Sequence, residues 1–500
     1  MRFDRAWLGL AVLMLPTLLV AMDMTALLLA LPQLSADLGA DGVEQLWISD
    51  SYGFMVAGMV ITMGTLGDRI GRRRLLMIGA AAFAVLSVVA AFAVNPLMLI
   101  VVRALLGIAG ATLAPSTLAL ITNMFRDARQ RGQAVAVWAA CQFTGGALGP
   151  VLAGVLLQHF WWGSVFLVAV PAMAALLIAG PVLLPEFRDE RAGRLDPLSV
   201  GLSLAAVLST VYGIKRLALD GVSAVPVVAV LAGAAVGVVF VRRQLRLDEP
   251  LLDFRLMRNG PFTAVIVGLV CAGVAMAGTG LLVTQYLQNV LDYSPATSAL
   301  LFAPMGLGVA AGTMASPALA RRVKQTTAIV GGLAVSTLGG LLLAVVDDGP
   351  GALPLVMTGI TVLALGTGPL FALGTGLVIG SVPPERAGSA ASMSETANYL
   401  GGSLGFALLG VLATAVYRDH AAGTSDSLAS AVTAAENLPA DQSEPLLHTA
   451  REAFTSSLHV TGLVAATLFA ALAILVACAM RPLPTAPEAP TPTDYEEARL

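Results

Sequence analysis

The sequence predicts an all-α polytopic membrane protein with fourteen transmembrane helices. Three observations lead to this fold class. Of 500 residues, 57% are hydrophobic and only 12% are charged, against about 25% charge in an ordinary soluble domain, and the mean hydropathy is +0.84. Fourteen apolar stretches follow one another, each able to cross about 30 Å of hydrocarbon with some tilt. Basic residues crowd into alternate loops. A soluble enzyme is excluded, because so little charge cannot cover a water-facing surface.

The first stretch, 7–32, follows Arg2 and Arg5 and runs to Pro32 with no small-residue cleavage site. It therefore reads as a retained helix and not a signal peptide. The next five lie near 46–66, 75–94, 97–118, 133–157 and 163–184. A pair follows at 197–214 and 224–241, then six more at 261–284, 296–319, 327–346, 353–380, 388–416 and 458–480. The runs are continuous and lack the alternation of barrel strands, and a helix satisfies its own backbone in lipid.

Loop charge orients the chain. With the N-terminus inside, 23 of the 28 basic residues fall on the cytoplasmic side. Four (Lys215, Arg216, Arg418 and Arg451) fall outside, and Arg103 lies within the fourth segment. The positive-inside rule then expects both termini in the cytoplasm and an even number of spans. The net charge of −3 excludes a nucleic-acid footprint. Cys141, Cys271 and Cys478 lie in apolar segments with no CxxC pair, so neither a disulfide framework nor a metal site is supported.

The chain also repeats. Residues 131–154 align without gaps on 387–410, matching glycines at 132/388, 145/401, 146/402, 149/405 and 154/410. The offset of 256 pairs segment five with segment thirteen. Two six-helix bundles are expected, 1–184 and 259–480, flanking an inserted helix pair with cytoplasmic linkers at 185–258. Parallel repeats around a central cavity are a transporter architecture. The second bundle carries a long outer loop at 417–457, partly ordered against the membrane, with six acids and two arginines. The tail 481–500, with five prolines between 482 and 492, reads as disordered and cytoplasmic.

Charge inside the bilayer is costly and marks function. Four groups qualify: Asp23, Asp50, Arg103 and Glu395. Asp23 lies nine residues before Pro32, about 13 Å below the outer end of its helix. Glu395 lies about two turns into segment thirteen from the cytoplasm. A buried carboxylate can exchange a proton for a cation. Each group also has a structural reading: Asp50 as an interfacial residue, Asp23 as the ion-pair partner of Arg103, and Glu395 as a satisfied acid near the inner face. Helical spacing lines Trp138, Gln142, Gly145 and Gly149 along one face, and Glu395, Asn398, Tyr399 and Gly402 along another. Rings and carboxylates together suit bulky organic cations, although such stripes also serve packing. Gly145/Gly149 and Gly401/Gly405 allow close helix approach, and Pro150 favours a bend.

These residues resemble the major facilitator superfamily over nearly the whole chain. The stretch 64–74, GTLGDRIGRRR, is similar to its signature between helices two and three. The resemblance implies a conformational latch of Gly64, Gly67, Asp68, Arg69, Gly71, Arg72 and Arg73, in which Asp68 and the arginines supply the charge and Gly64 and Gly71 permit a tight turn. Arg103 with Gly107 resembles the helix-four signature associated with proton coupling. GGALGPVLAG at 145–154 resembles the helix-five antiporter signature through Gly145, Gly149, Pro150 and Gly154, with Ala153 where glycine is usual. Fourteen helices, Met22-Asp23-Met24-Thr25, Trp47-Ile48-Ser49-Asp50 and Ser394-Glu395-Thr396 narrow the likeness to exporters of quaternary ammonium compounds and cationic dyes.

That resemblance implies proton and cation coupling at Asp23, Arg103 and Glu395, and a substrate cavity lined by Asp23, Asp50, Trp138, Gln142, Asn398 and Tyr399. It implies small lipophilic, mainly cationic substrates, protons as the driving ion, no cofactor, no nucleic acid and a monomer in a bacterial cytoplasmic membrane. Segment ten carries no acid, unlike some dication-exporting relatives, which tells against efficient dication export. The alternatives are dedicated export of one antibiotic or secondary metabolite, and a non-transport membrane sensor. No paired His/Cys ligands or nucleophile–base set supports an enzyme.

Overall fold

The computed structural model describes residues 3–40, 42–188, 196–220, 223–247, 250–252, 254–346, 351–380, 382, 387–421, 428–435 and 438–480. The tail 481–500 lies outside the described residues, as do parts of the linkers around the inserted pair and of the outer loop.

Fourteen long helices account for the architecture. We label them α1 (Phe3–Leu38), α2 (Gly42–Ile70), α3 (Arg72–Ala91), α4 (Pro96–Met124) and α5 (Ala128–His159). There follow α6 (Ser164–Leu183), α7 (Pro197–Asp220), α8 (Ala224–Arg246) and α9 (Gly260–Asn289). The last five are α10 (Pro295–Leu319), α11 (Gln325–Leu343), α12 (Ala352–Gly380), α13 (Ala387–His420) and α14 (Ala440–Ala479). Thirteen are long and apolar enough to cross a membrane. The other, α2, has the length at 29 residues and coincides with the second apolar stretch of the sequence. Among the described residues there is no strand.

Local chemistry sets several helix starts. Asn95 Oδ1 accepts from Met98 N at 2.8 Å ahead of α4, with Pro96 at the first position. Asp127 caps α5 through Gln130 N at 2.9 Å, and Ser294 caps α10 through Thr297 N. A capping oxygen satisfies a backbone donor that has no partner within the helix.

Packing follows the internal repeat. α1 lies on α5 and α6, α2 on α4, and α3 on α4 and α6. Eight helices later, α9 lies on α13 and α14, α10 on α12, and α11 on α12 and α14. The two sets meet where α5 packs on α10 and where α2 and α4 pack on α13. α7 lies against α2 and α13, and α8 packs on α7 with most of its surface facing outward. The α7–α8 pair is clasped at one end: Asp196 Oδ2 accepts from Arg243 Nη2 at 2.6 Å and from Ser199 Oγ at 2.7 Å. Gln244 bridges Ser199 Oγ and Leu251 N.

The expected outer loop is largely helical where it is described. α14 begins at Ala440 and runs 40 residues, about 60 Å at 1.5 Å per residue and twice a hydrocarbon core. Its first half is amphipathic, burying Ala450, Ala453, Phe454, Ser457, Leu458 and Thr461 at helical spacing. A short helix, Leu428–Ala435, packs against it. Hydropathy alone placed the start at 458 because half of those turns are polar.

Candidate functional site

The buried charges occupy two places. In the first, Asp23 of α1 and Arg103 of α4 form an ion pair, Nη1 to Oδ2 at 2.5 Å, with the Arg103 side chain almost wholly buried. Arg103 Nε also donates to the Ile48 carbonyl at 3.3 Å, and its guanidinium carbon lies 4.6 Å from the centroid of the Tyr52 ring. Two glycines make room for that tyrosine. A Cβ at Gly107 would lie 2.5 Å from the Tyr52 carbonyl oxygen, and one at Gly110 would lie 2.8 Å from its hydroxyl. The Tyr52 hydroxyl is buried with no hydrogen-bond partner among the described residues. Thus the ion-pair reading of Asp23 is realised, on a helix face that also carries α2.

In the second place, Glu395 of α13 faces a small cavity shared by helices from both sets. Trp138, Ala139, Gln142 and Phe143 line it from α5, Leu269 from α9, Phe371 and Thr375 from α12, and Ser394, Glu395 and Asn398 from α13. Gln142 hydrogen-bonds the carboxylate, while Glu395 Oε2 is buried without a partner among the described residues. Trp138 is fixed by its indole N–H, which donates to Thr117 Oγ1 at 3.1 Å. The Phe143 and Phe371 rings meet with centroids 4.7 Å apart. A small apolar cavity with a few convergent polar groups has the character of a ligand site.

Several expected cavity residues lie elsewhere. Asp23 is absent from the lining, being held by Arg103, and so is Tyr399, which interacts electrostatically with Glu395 and Tyr52. The side chain of Asp50 lies outside the described residues. The α5 stripe divides: Trp138 and Gln142 face the cavity, whereas Gly145 and Gly149 face α1. A step of seven or eleven residues turns the face by only about 20° but advances roughly 10–16 Å along the helix, so one face of α5 meets different neighbours at different depths.

The glycine repeat has a direct structural meaning. A Cβ at Gly145 would lie 2.4 Å from the Leu18 carbonyl oxygen, and one at Gly149 2.2 Å from Thr25 Oγ1. Their counterparts do the same on α9: Gly401 against the Val270 carbonyl oxygen and Gly405 against that of Val274, both at 2.4 Å. Gly146 and Gly402 each face open space. Pro150 and Gly154 lie inside α5, which continues unbroken to His159.

The α2–α3 turn is built on a buried ion pair. Arg72 is fully buried and donates through Nε to Asp68 Oδ1 at 2.8 Å, with a second contact from Nη2 to the same oxygen. Its guanidinium lies against Gly67, where a Cβ would meet Nη1 at 2.8 Å. Gly71 takes φ +111°, a region that favours glycine, and a Cβ there would collide with Glu186. Arg73 pairs with Glu186 at 3.5 Å and donates to the Leu184 carbonyl at 3.0 Å. Arg72 N donates to the Phe187 carbonyl at 2.8 Å. The residues just past α6 therefore hold the other side of this turn. Arg69 is exposed, and Gly64 lies within α2, so Gly71 alone makes the turn.

Sequence reading missed Tyr52, Phe143, Phe371 and Glu186. Glu186 left a signal, an acid just beyond the sixth span at the basic end. The three aromatics left none, being apolar residues in apolar helices.

Helices packed as two repeated sets, a cavity between them and a charged latch at a helix end together define a membrane transporter of the facilitator type. The chain belongs to the Major Facilitator Superfamily, whose family model matches residues 13–406. It is 41% identical over 488 residues to the multidrug efflux pump LfrA of Mycolicibacterium smegmatis, covering 95% of this chain and 97% of that one. It is 34% identical to the methyl viologen resistance protein SmvA of Salmonella typhimurium, covering 94% and 97%. Among solved structures, the human organic anion transporter MFSD10 superposes with a TM-score of 0.64 over 95% of this chain and all of that one, at 15% identity. That likeness concerns the fold. The chain is a transporter and not an enzyme, a multi-pass protein of a bacterial cytoplasmic membrane.

Proposed function

We propose that this protein is a proton-coupled exporter of lipophilic, mainly cationic small molecules, working by alternating access between helices 1–6 and 9–14. The observation that carries the proposal is the Glu395 carboxylate oxygen, buried without a partner in a cavity walled by Trp138, Phe143 and Phe371. A buried carboxylate with one oxygen left unsatisfied is costly in a low-dielectric site, and either a proton or an organic cation relieves it. The two occupants therefore compete, which is the elementary requirement of exchange. Aromatic walls add attraction for a cation and leave its shape loosely specified.

Asp23 has the second role. A proton on its carboxyl cancels the charge that holds Arg103, freeing α1 from α4. One proton entering gains about 2.3 kcal/mol per 100 mV of membrane potential. The basic residues of the α2–α3 turn and of the α7–α8 clasp support a cytoplasmic location for that end under the positive-inside rule. The similarity to LfrA and SmvA supports efflux of toxic compounds. Methyl viologen, in the name of SmvA, is a dication, and α10 here carries no acid, which tells against efficient export of dications by this chain. In cells, Glu395→Gln is expected to lose export of cationic dyes while retaining neutral substrates. Equal loss of both would oppose the proposal. Export of one metabolite shares these features, and a broad substrate panel in the same assay separates it.

A further inference from the structure

The Glu395 cavity accounts for charge and leaves one feature unused, the contact of Phe143 with Phe371. These rings come from α5 and α12, helices of the two different sets, and they meet at 4.7 Å inside the cavity lining. Their supports differ. Phe143 sits where α5 is pressed against α10: a Cβ at Gly306 would lie 2.5 Å from Ala147 Cβ and 3.0 Å from the Phe143 carbonyl oxygen. It is a fixed wall.

Phe371 is held in another way. It lies in a π-helical turn, Leu370–Gly374, that interrupts α12 directly after Pro369. Such turns are wider than the α-helix and often mark functional sites, and the proline removes a backbone donor. Before the turn the helix is locked backbone to backbone. A Cβ at Gly366 would lie 2.4 Å from the Gly332 carbonyl oxygen, and one at Gly368 would lie 2.2 Å from the Gly312 carbonyl carbon. After it the segment stays buried, with Val378 and Ile379 in the core, but its glycines make no such backbone lock. Gly374 meets only side-chain atoms of Val265 and Leu370, and Gly376 and Gly380 face open space. A rotation of this segment about Gly368 moves Phe371 and leaves Phe143 in place.

We propose that Phe143 and Phe371 form an aromatic clamp, with a fixed jaw and a movable jaw, that selects flat polycyclic cations. The two rings touch and are tilted by 57° to one another, so a planar ring system enters only as rotation of the Phe371 segment parts and aligns them, while Glu395, on the same cavity wall, meets the positive charge. A cation whose rings are splayed in a propeller cannot enter the gap and is held by charge and general apolar contact alone. The inference rests on the proposed function in taking Glu395 as the cation site, and it adds a basis for ranking cations by shape.

The test is equilibrium binding to the purified full chain in nanodiscs, with ethidium as the flat probe and tetraphenylphosphonium as the splayed one. Phe371→Leu and Phe143→Leu are each expected to weaken ethidium about ten-fold, the scale of one lost aromatic pair, and to shift tetraphenylphosphonium less than about two-fold. The double variant is expected to be no weaker for ethidium than either single one, because the two rings act together. Phe371→Tyr should bind as the parent does, and Phe371→Met replaces Phe371→Leu if that variant unfolds at a lower temperature. Equal weakening of both probes, or unchanged ethidium affinity, would overturn the clamp. Glu395→Gln separates the two levels. If it abolishes binding of both cations while the phenylalanine variants change nothing, the clamp fails and the cation site stands; if it changes neither affinity, both fail.

Discussion

Asp23 on α1 and Arg103 on α4 share a 2.5 Å ion pair whose guanidinium lies over the ring of Tyr52. Three helices thus depend on one buried charge pair. Removing one partner of such a pair leaves an uncompensated charge and costs about 3–5 kcal/mol. Asp23→Asn keeps the shape and one acceptor oxygen. It is expected to abolish uphill efflux while protein remains in the membrane, measured by dye efflux from energised cells alongside immunoblotting of membranes. Wild-type uphill rates would show that Asp23 is not the coupling group.

Tyr52 separates a packing role from a polar one. Its ring carries the cation contact, and its hydroxyl is buried without a partner among the described residues. Tyr52→Phe keeps the ring and is expected to leave thermal stability unchanged or raise it by about 1 kcal/mol, since a poorly satisfied polar group is removed. Tyr52→Leu loses both ring and contact and is expected to cost about 2–3 kcal/mol. Thermal unfolding of the purified variants checks the order.

The glycine seams offer a matched comparison. Alanine at Gly145 or Gly401 places a methyl 2.4 Å from a facing carbonyl oxygen, whereas alanine at Gly146 or Gly402 meets nothing within 4 Å. The first pair is expected to lose about 1–3 kcal/mol through overpacking, and the second to be neutral within about 0.5 kcal/mol. Unfolding temperatures of the four variants decide it, and equal effects at adjacent positions would argue against the observed seam.

Asp196 gives a pH dependence outside the membrane. The Ser199 hydroxyl and the Arg243 guanidinium hold its carboxyl below the ordinary aspartate value. A depressed folded-state value stabilises above the unfolded value of about 3.9, and the stabilisation is lost as pH falls through the folded one. The stability difference between the parent and Asp196→Asn is therefore expected to be constant from pH 7 to pH 5 and to shrink below about pH 4. The residue is well solvated, so the difference is small. Denaturation curves at stepped pH measure it.

Much of the architecture was legible in the sequence because lipid imposes a strict rule on charge. The spans stood out as runs poor in ions, and the 256-residue offset matched the glycines of α5 with those of α13, though not the partners, α1 and α9, that they meet. The grouping of the site residues was less legible. Helical period assigns residues to a face but not to a neighbour, so Asp23 and Glu395 could not be parted into an ion pair and a cavity. Phe371 depends on a π turn with no sequence period of its own. Glu186 required knowing that α6 ends beside α3. The amphipathic start of α14 fell below the hydropathy of a span because one of its faces is polar.

The central claim is exchange of protons for organic cations, and inverted membrane vesicles test it most directly. Ethidium uptake is followed while an acid-inside pH gradient and an inside-positive voltage are imposed separately. The parent protein is expected to accumulate dye under the pH gradient alone, with no nucleotide added, and to release protons to the bath as it does so. Asp23→Asn and Glu395→Gln are expected to show neither. Accumulation that ignores both gradients, or that proceeds at the parental rate in Asp23→Asn, would contradict proton-coupled export through these residues.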